Sequence, residues 1–193
     1  AHVCLRLEPT GPSDEFEFVN AITQNVIPRE FIPSIEREML KVMMKNPYAQ
    51  FPMVDVKVTL FYGSFHEVDS SAMAFQIAAR KAMREGMMHA HPCLLEPVMD
   101  VDVTTPKEYV GDVTGFLCSR RGQVQEIQQR GLDHVISAKV PLAEMFGYST
   151  NLRSQTQGRG TFGMVLGHYA QVPFSTEEEI LKTRKVGKVE DED

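Results

Sequence analysis

Apolar and polar positions along the chain change period several times, and each change marks an element. Val3, Leu5 and Leu7 alternate with Cys4, Arg6 and Glu8, the period-two pattern of a half-buried strand. A second strand is predicted over 16–22, with Phe16, Phe18 and Ile22 in phase, and a third over 54–62, where Val54, Val56, Val58 and Leu60 alternate with Asp55, Lys57 and Thr59. Between them Pro33 suits the first turn of a helix whose apolar face is Ile35, Met39, Val42 and Met43 and which stops at Asn46-Pro47. Another helix opens after Asp69-Ser70-Ser71, all capping residues, and runs to Gly86 with Met73, Ala74, Ile77, Ala78 and Ala82 inward. Its outer face carries Gln76, Arg80, Lys81 and Arg84.

A break falls at His91-Pro92-Cys93. Beyond it Met99, Val101 and Val103 form a strand, and Pro106 leads a helix through Tyr109, Val110, Val113 and Leu117 to Arg120-Arg121-Gly122. Strands follow over 124–129 and 135–140, joined near Gly131; then a short helix over 142–152, and a last strand through Phe162, Met164, Leu166 and His168. The order βαββαβ in about eighty residues is that of a ferredoxin-like sandwich, two helices on one face of an antiparallel four-stranded sheet. Ser175 or Thr176 before Glu178 and Glu179 reads as a capping box, and apolar periodicity is lost after Leu181. The fold class is therefore α+β in two domains, 1–92 and 93–175, with a C-terminal helix and acidic tail over 176–193.

Composition changes this picture little, and charge changes it more. With 42% apolar and 24% charged residues among 193, the chain has an ordinary globular profile, and no stretch approaches the eighteen apolar residues of a membrane span. A net charge of −6 argues at first against a polyanion partner, but the three segments contribute −2, −1 and −3, so half lies in the tail and local basic patches remain open. Cys4, Cys93 and Cys118 are too few for a disulfide framework, and the N-terminus has no basic and apolar leader. A cytoplasmic location is expected, and a start without Met inside a strand pattern suggests a piece of a longer protein.

Candidate chemistry is sparse. There is no G-x-x-x-x-G-K-[ST] phosphate loop, and Asp112-Val113-Thr114-Gly115 falls inside a predicted helix. His89, His91 and Cys93 would share a face of an extended segment as metal ligands, but no fourth ligand is evident. Cys118, beside Arg120 and Arg121, is expected to be a buried structural cysteine. Four features are not explained by packing: the loop 63–71, which presents His66 and places Asp69 as a cap; the Arg120-Arg121 pair, either a complement to a helix C-terminus or a phosphate fork; the Arg80, Lys81 and Arg84 face, usually just solvated; and the cation-, hydroxyl- and glycine-rich stretch 152–161.

At these residues the chain resembles the C-terminal part of the elongation factor G family of translational GTPases. The resemblance is carried by Val26-Ile27-Pro28-Arg29-Glu30-Phe31-Ile32-Pro33, Gly63-Ser64-Phe65-His66-Glu67-Val68-Asp69-Ser70-Ser71, Leu94-Leu95-Glu96-Pro97-Val98-Met99, Arg120-Arg121-Gly122, Val140-Pro141-Leu142-Ala143-Glu144-Met145-Phe146-Gly147-Tyr148 and Leu152-Arg153-Ser154-Gln155-Thr156-Gln157-Gly158-Arg159. It implies that 1–92 is most of domain IV, an S5-domain-2-like α/β unit with a left-handed crossover whose first strand and Gly-rich tip loop lie upstream. It likewise makes 93–175 domain V, the ferredoxin-like unit. It further implies a ribosome partner: Ser64, His66, Asp69 and Ser70 toward tRNA–mRNA at the small-subunit decoding site, and Arg120, Arg121, Arg153 and Arg159 toward large-subunit rRNA near the stalk base. A monomer is expected, with no catalytic residue, metal or cofactor in this piece; GTP and Mg2+ would belong to an upstream domain, and the role is translocation. Gln24-Asn25 stands where the family commonly has paired glycines, and the ending Glu190-Asp191-Glu192-Asp193 is unlike its basic ends. These departures leave open a divergent paralogue used in ribosome recycling; a tetracycline-resistance ribosomal protection protein shares the architecture, and against it the intact loop run favours the translocase. A stand-alone metal-binding or RNA-binding module is the alternative of another class.

Overall fold

The computed structural model describes residues 1–12, 16–23, 25–46 and 48–183, and the chain divides into two compact units. The first holds Ala1–Cys93 together with the segment from Pro173; the second is Leu94–Val172. The acidic ending 190–193 lies outside the described residues, as does Gln24.

In the first unit the strands are β1 (His2–Pro9), β2 (Glu17–Asn20) and β3 (Val56–Ser64), in the order β1-β3-β2, with β1 antiparallel and β2 parallel to β3. The parallel pair is joined through α1 (Ile32–Met44), a crossover of the kind parallel neighbours require. As the pattern predicts, Pro33 lies in the first turn of α1, and Ile35, Met39, Val42 and Met43 are buried.

The second helix, α2 (Ala72–His89), departs from expectation. Its buried row is Phe75, Ala79, Met83 and Met87, while Met73 is 70% and Ile77 41% exposed. Met, Ala and Ile occur around most of this helix, so apolar spacing alone did not single out a face; the Phe31 ring just before α1 and the α1 methionines decide it. Phe31 stacks on Phe75 at 5.1 Å, and Val3, Val58 and Leu60 of the sheet complete the core. The strand predicted to begin at Val54 begins at Val56, because Asp55 takes a left-handed turn (φ 59°). Asn25 is likewise left-handed (φ 51°), a conformation Asn tolerates better than most residues, which accounts for it at a position where glycine was expected.

The second unit contains β4 (Leu95–Pro106), α3 (Val110–Ser119), β5 (Gln123–Arg130), β6 (Asp133–Pro141), α4 (Tyr148–Gln155) and β7 (Thr161–Gln171). The sheet order β5-β6-β4-β7, antiparallel throughout, is the ferredoxin-like arrangement. Val101, Val103, Ile136, Ala138 and Val140 of the two central strands meet Val113 and Leu117 of α3 and Tyr148 and Leu152 of α4. One expectation is corrected. The helix over 142–152 is two pieces, a 3-10 turn Leu142–Met145 and then α4, because Phe146 is extended and Gly147 left-handed (φ 72°). Met164 and Leu166 of β7, in phase with the buried Val101 of β4, are 42% and 55% exposed, since β7 is an edge strand and only Phe162 lies under Tyr148.

The final helix, α5 (Phe174–Thr183), starts before the proposed capping box, so Ser175 and Thr176 sit in its first turn. It is held to the first unit by Tyr48, whose hydroxyl donates to Glu177 Oε1 at 2.9 Å. Burial and the neighbouring carboxylate raise the Tyr48 phenol to about 12.

Candidate nucleic-acid interface

The loop after β3 is built by backbone and packing, and its polar side chains are left over. Gly63 passes so close to β1 that a Cβ there would lie 2.5 Å from the His2 carbonyl and 2.5 Å from Ile27 Cδ1, so no other residue fits without displacement. Phe65 then stacks on Phe31 at 5.8 Å, anchoring the base of the loop to the core. The turn is closed by Ser70. The His66 amide donates to Ser70 Oγ at 3.0 Å, and the Ser70 amide donates to the His66 carbonyl at 3.0 Å. Ser71 caps α2, its hydroxyl accepting from the Ala74 amide at 3.1 Å, so the capping role expected for Asp69 is filled two residues later.

His66, Glu67, Val68 and Asp69 are exposed, with Val68 fully so at the apex. Among the described residues the His66 ring has no hydrogen bond, ion pair or ring partner. The structure therefore brings Ser64, His66, Asp69 and Ser70 onto one loop in different roles. Ser64 ends the strand opposite His2, Ser70 closes the turn, and His66 and Asp69 project outward.

The arginines of the second unit are spent differently. Arg120 and Arg121 end α3 in a Schellman turn: the Gly122 amide donates to Leu117 O at 2.9 Å, and Arg121 takes the left-handed position (φ 57°) that glycine usually fills. The Arg121 fork closes on Glu96, with Nη1 to Oε1 at 2.7 Å and Nη2 to Oε2 at 3.0 Å, while its Nε donates to Glu144 at 3.0 Å. The Glu96 bonds, helped by Glu144, push the guanidinium pKa further up against a smaller opposing effect of burial. Arg120 donates to the carbonyls of Glu144 and, at 3.2 Å, Phe146, and lies 4.5 Å over the Phe116 ring. The fork that the sequence offered to a phosphate is thus occupied by carboxylates of its own unit.

Arg159 is similarly committed, to Glu108 and the Tyr109 hydroxyl, with its guanidinium 4.8 Å over the Tyr109 ring. Gly160, whose Cβ would lie 2.8 Å from Thr156 Oγ1, is required by close packing, and Gly158 closes a second Schellman turn on Arg153 O at 2.8 Å. Arg153, exposed on α4, has no side-chain partner among the described residues.

Sequence reasoning also missed a buried carboxylate. Glu38, 2% exposed on α1, takes Arg80 at 2.6 Å and Lys41 at 3.4 Å, so Arg80 belongs to a structural pair. Its signal was available, since Glu38 neighbours Met39 and follows Ile35 by three positions on the apolar side of α1. His89, the last residue of α2, turns its Nδ1 to the Glu85 carbonyl at 2.9 Å, so 89–93 is not the extended ligand segment envisaged. Among the described residues no cluster of three metal-capable side chains occurs. Cys118 is exposed rather than buried, because it lies about 100° around α3 from the buried Leu117. No helix among the described residues is long and apolar enough to cross a membrane.

A mixed sheet packed against a helix pair, followed by a ferredoxin-like sheet, with a fixed loop presenting a histidine, defines a two-domain α+β protein. Comparison with known families sharpens this. Residues 1–91 match elongation factor G, domain IV, and residues 93–180 match the elongation factor G C-terminus. The chain belongs to the elongation factor G family and carries its domain IV and C-terminal domain. It is also similar, at 41% identity and a TM-score of 0.82, to a crystal structure of a Thermus thermophilus protein, over 95% of this chain and 27% of that one. The chain thus spans about a quarter of the length of that protein.

Proposed function

We propose that this chain is the ribosome-contacting part of a translational GTPase that promotes movement of tRNA and mRNA during protein synthesis. The family supports a translation factor, and the observation that carries the finer reading is the His66 loop: a rigid backbone holding an unpartnered, exposed imidazole. An imidazole can both donate and accept hydrogen bonds, and its ring can stack on a base, which suits RNA whose bases and phosphates are close together. The loop would occupy the decoding side, favouring forward movement of the tRNA–mRNA pair by filling space, while GTP and Mg2+ are handled by another part of the factor.

On the large-subunit side, Arg153 is the cation of the expected four that, among the described residues, has no partner and can pair with an rRNA phosphate, whereas Arg120, Arg121 and Arg159 are held by groups of their own unit. The decisive experiment is single-turnover translocation by the whole factor carrying His66→Ala. A rate reduced about tenfold or more, with GTP hydrolysis unchanged, is expected; a wild-type rate overturns the role of the loop.

A further inference from the structure

The first unit has a polarised charge distribution that its net charge conceals. α1 with its capping residue Lys45, together with α2, carries Arg37, Lys41, Lys45, Arg80, Lys81 and Arg84 against Glu36, Glu38 and Glu85. The rest of residues 1–92 carries three cations against eight acids. One of the three acids on the helices, Glu38, is buried and already bound to Arg80 and Lys41, so its charge does not reach the surface unmatched.

The cations also lie close together. Glu38 holds Arg80 and Lys41 on its two oxygens, with the Lys41 side chain 70% and the Arg80 side chain 47% exposed. Arg84 follows Arg80 by one helical turn, about 6 Å along α2, and Lys81 is adjacent. Among the described residues Lys81 and Arg84 have no ion-pair or hydrogen-bond partner. A cationic row on one helix, with Arg80 and Lys41 held at one end by a buried carboxylate and Lys81 and Arg84 unpaired, offers several phosphate contacts that break no existing ion pair of Lys81 or Arg84.

From this arrangement we propose that the outer face of the α1–α2 layer is a second RNA surface, distinct from the His66 loop, which grips the phosphate backbone of double-stranded RNA. The proposal deepens the ribosomal reading and rests on it for its setting. Its test does not, because binding is measured away from the ribosome. The contact is with backbone, so it selects duplex shape and charge rather than sequence.

The test uses the 193-residue chain and a fluorescein-labelled RNA hairpin duplex of about twenty base pairs, with anisotropy read across a series of KCl concentrations. The variants change Lys81 and Arg84, which have no structural bonds, and leave Arg80 and Lys41 in place to hold Glu38. Lys81→Glu with Arg84→Glu is expected to weaken duplex binding about tenfold or more at low salt and to reduce the log–log salt slope by about two. A control with the same change in net charge, Arg6→Glu with Lys57→Glu on the strands, is expected to weaken binding far less. Circular dichroism melts confirm that both doubles remain folded. Equal losses from the two doubles, an unchanged salt slope, or no duplex binding by the unaltered chain at low salt would each overturn the proposal. So would poly-glutamate binding as tightly as the duplex with the same sensitivity to Lys81→Glu and Arg84→Glu, which would assign the face to an acidic protein. A failed translocation test of His66 would leave all of these readings intact.

Discussion

The His66 loop and the Arg120-Arg121 corner solve opposite problems. At the loop, backbone bonds through Ser70 and ring packing through Phe65 do the fixing, and the side chains of His66 and Asp69 remain exposed. At the corner the side chains do the fixing: Arg121 ties the end of α3 to β4 and to the 3-10 turn, and Arg120 gathers the carbonyls that follow. Both segments have the composition of a binding site. The difference teaches that a charged residue's availability depends on its neighbours' carboxylates, which residue type does not reveal.

The sharpest way to break the comparison is Arg121→Ala. It strands Glu96, 14% exposed, and removes three charge-assisted bonds, so a loss of about 2 kcal/mol is expected after discounting for partial exposure. Hydrogen exchange at the Val101 and Ile136 amides reads this within the second unit. A loss under about 0.5 kcal/mol would mean that Arg121 is not structural and that its fork is free for a phosphate after all.

Next in size is a contrast between two tyrosines. Tyr48→Phe removes a bond to the buried Glu177 and should cost about 1 kcal/mol in urea unfolding. Tyr148→Phe should cost nothing measurable, because the Tyr148 hydroxyl is buried with no partner among the described residues. Burial raises the Tyr148 phenol to about 12 against a smaller opposing effect of Arg120, and Tyr48 reaches about 12 as well. Both folded values exceed the ordinary 10, so the folded chain retains protons that the unfolded chain releases. Stability is therefore full below pH 10 and falls as pH rises toward 12, and Tyr148→Phe should make that fall shallower.

Smaller still is Ser70→Ala, which opens the turn at one point and should cost about 0.5–1 kcal/mol, read as faster exchange of the His66 amide. His66→Ala should leave stability within about 0.5 kcal/mol of the unaltered chain, since the ring has no partner among the described residues. A large destabilisation there would place His66 with the corner arginines.

Much of this was legible in the residues. Alternation in β1 and β4 and the Ile35-Met39-Val42-Met43 face of α1 follow directly from periods of two and 3.6, because each of those elements has one apolar side. The face of α2 was misread because apolar residues surround it, whereas β7 was read as a strand, its exposed Met164 and Leu166 lying on an uncovered edge. In the site, Gly63 and the exposed His66 could be anticipated from a polar loop after a strand. That Arg120, Arg121 and Arg159 are occupied could not, since Glu96, Glu144 and Glu108 are 25, 23 and 51 positions away from the arginines they hold.

The amino-acid sequence by itself determined the order of elements, the two-domain division, the ferredoxin-like second unit and the family, because local periodicity and turn chemistry are short-range. Only the tertiary structure decided which faces of α2 and β7 are covered, that α5 returns to the first unit through Glu177, and which cations are free. Burial and charge pairing are set by residues distant in the chain, and their effect on a side chain appears only when folding brings them within a few ångströms.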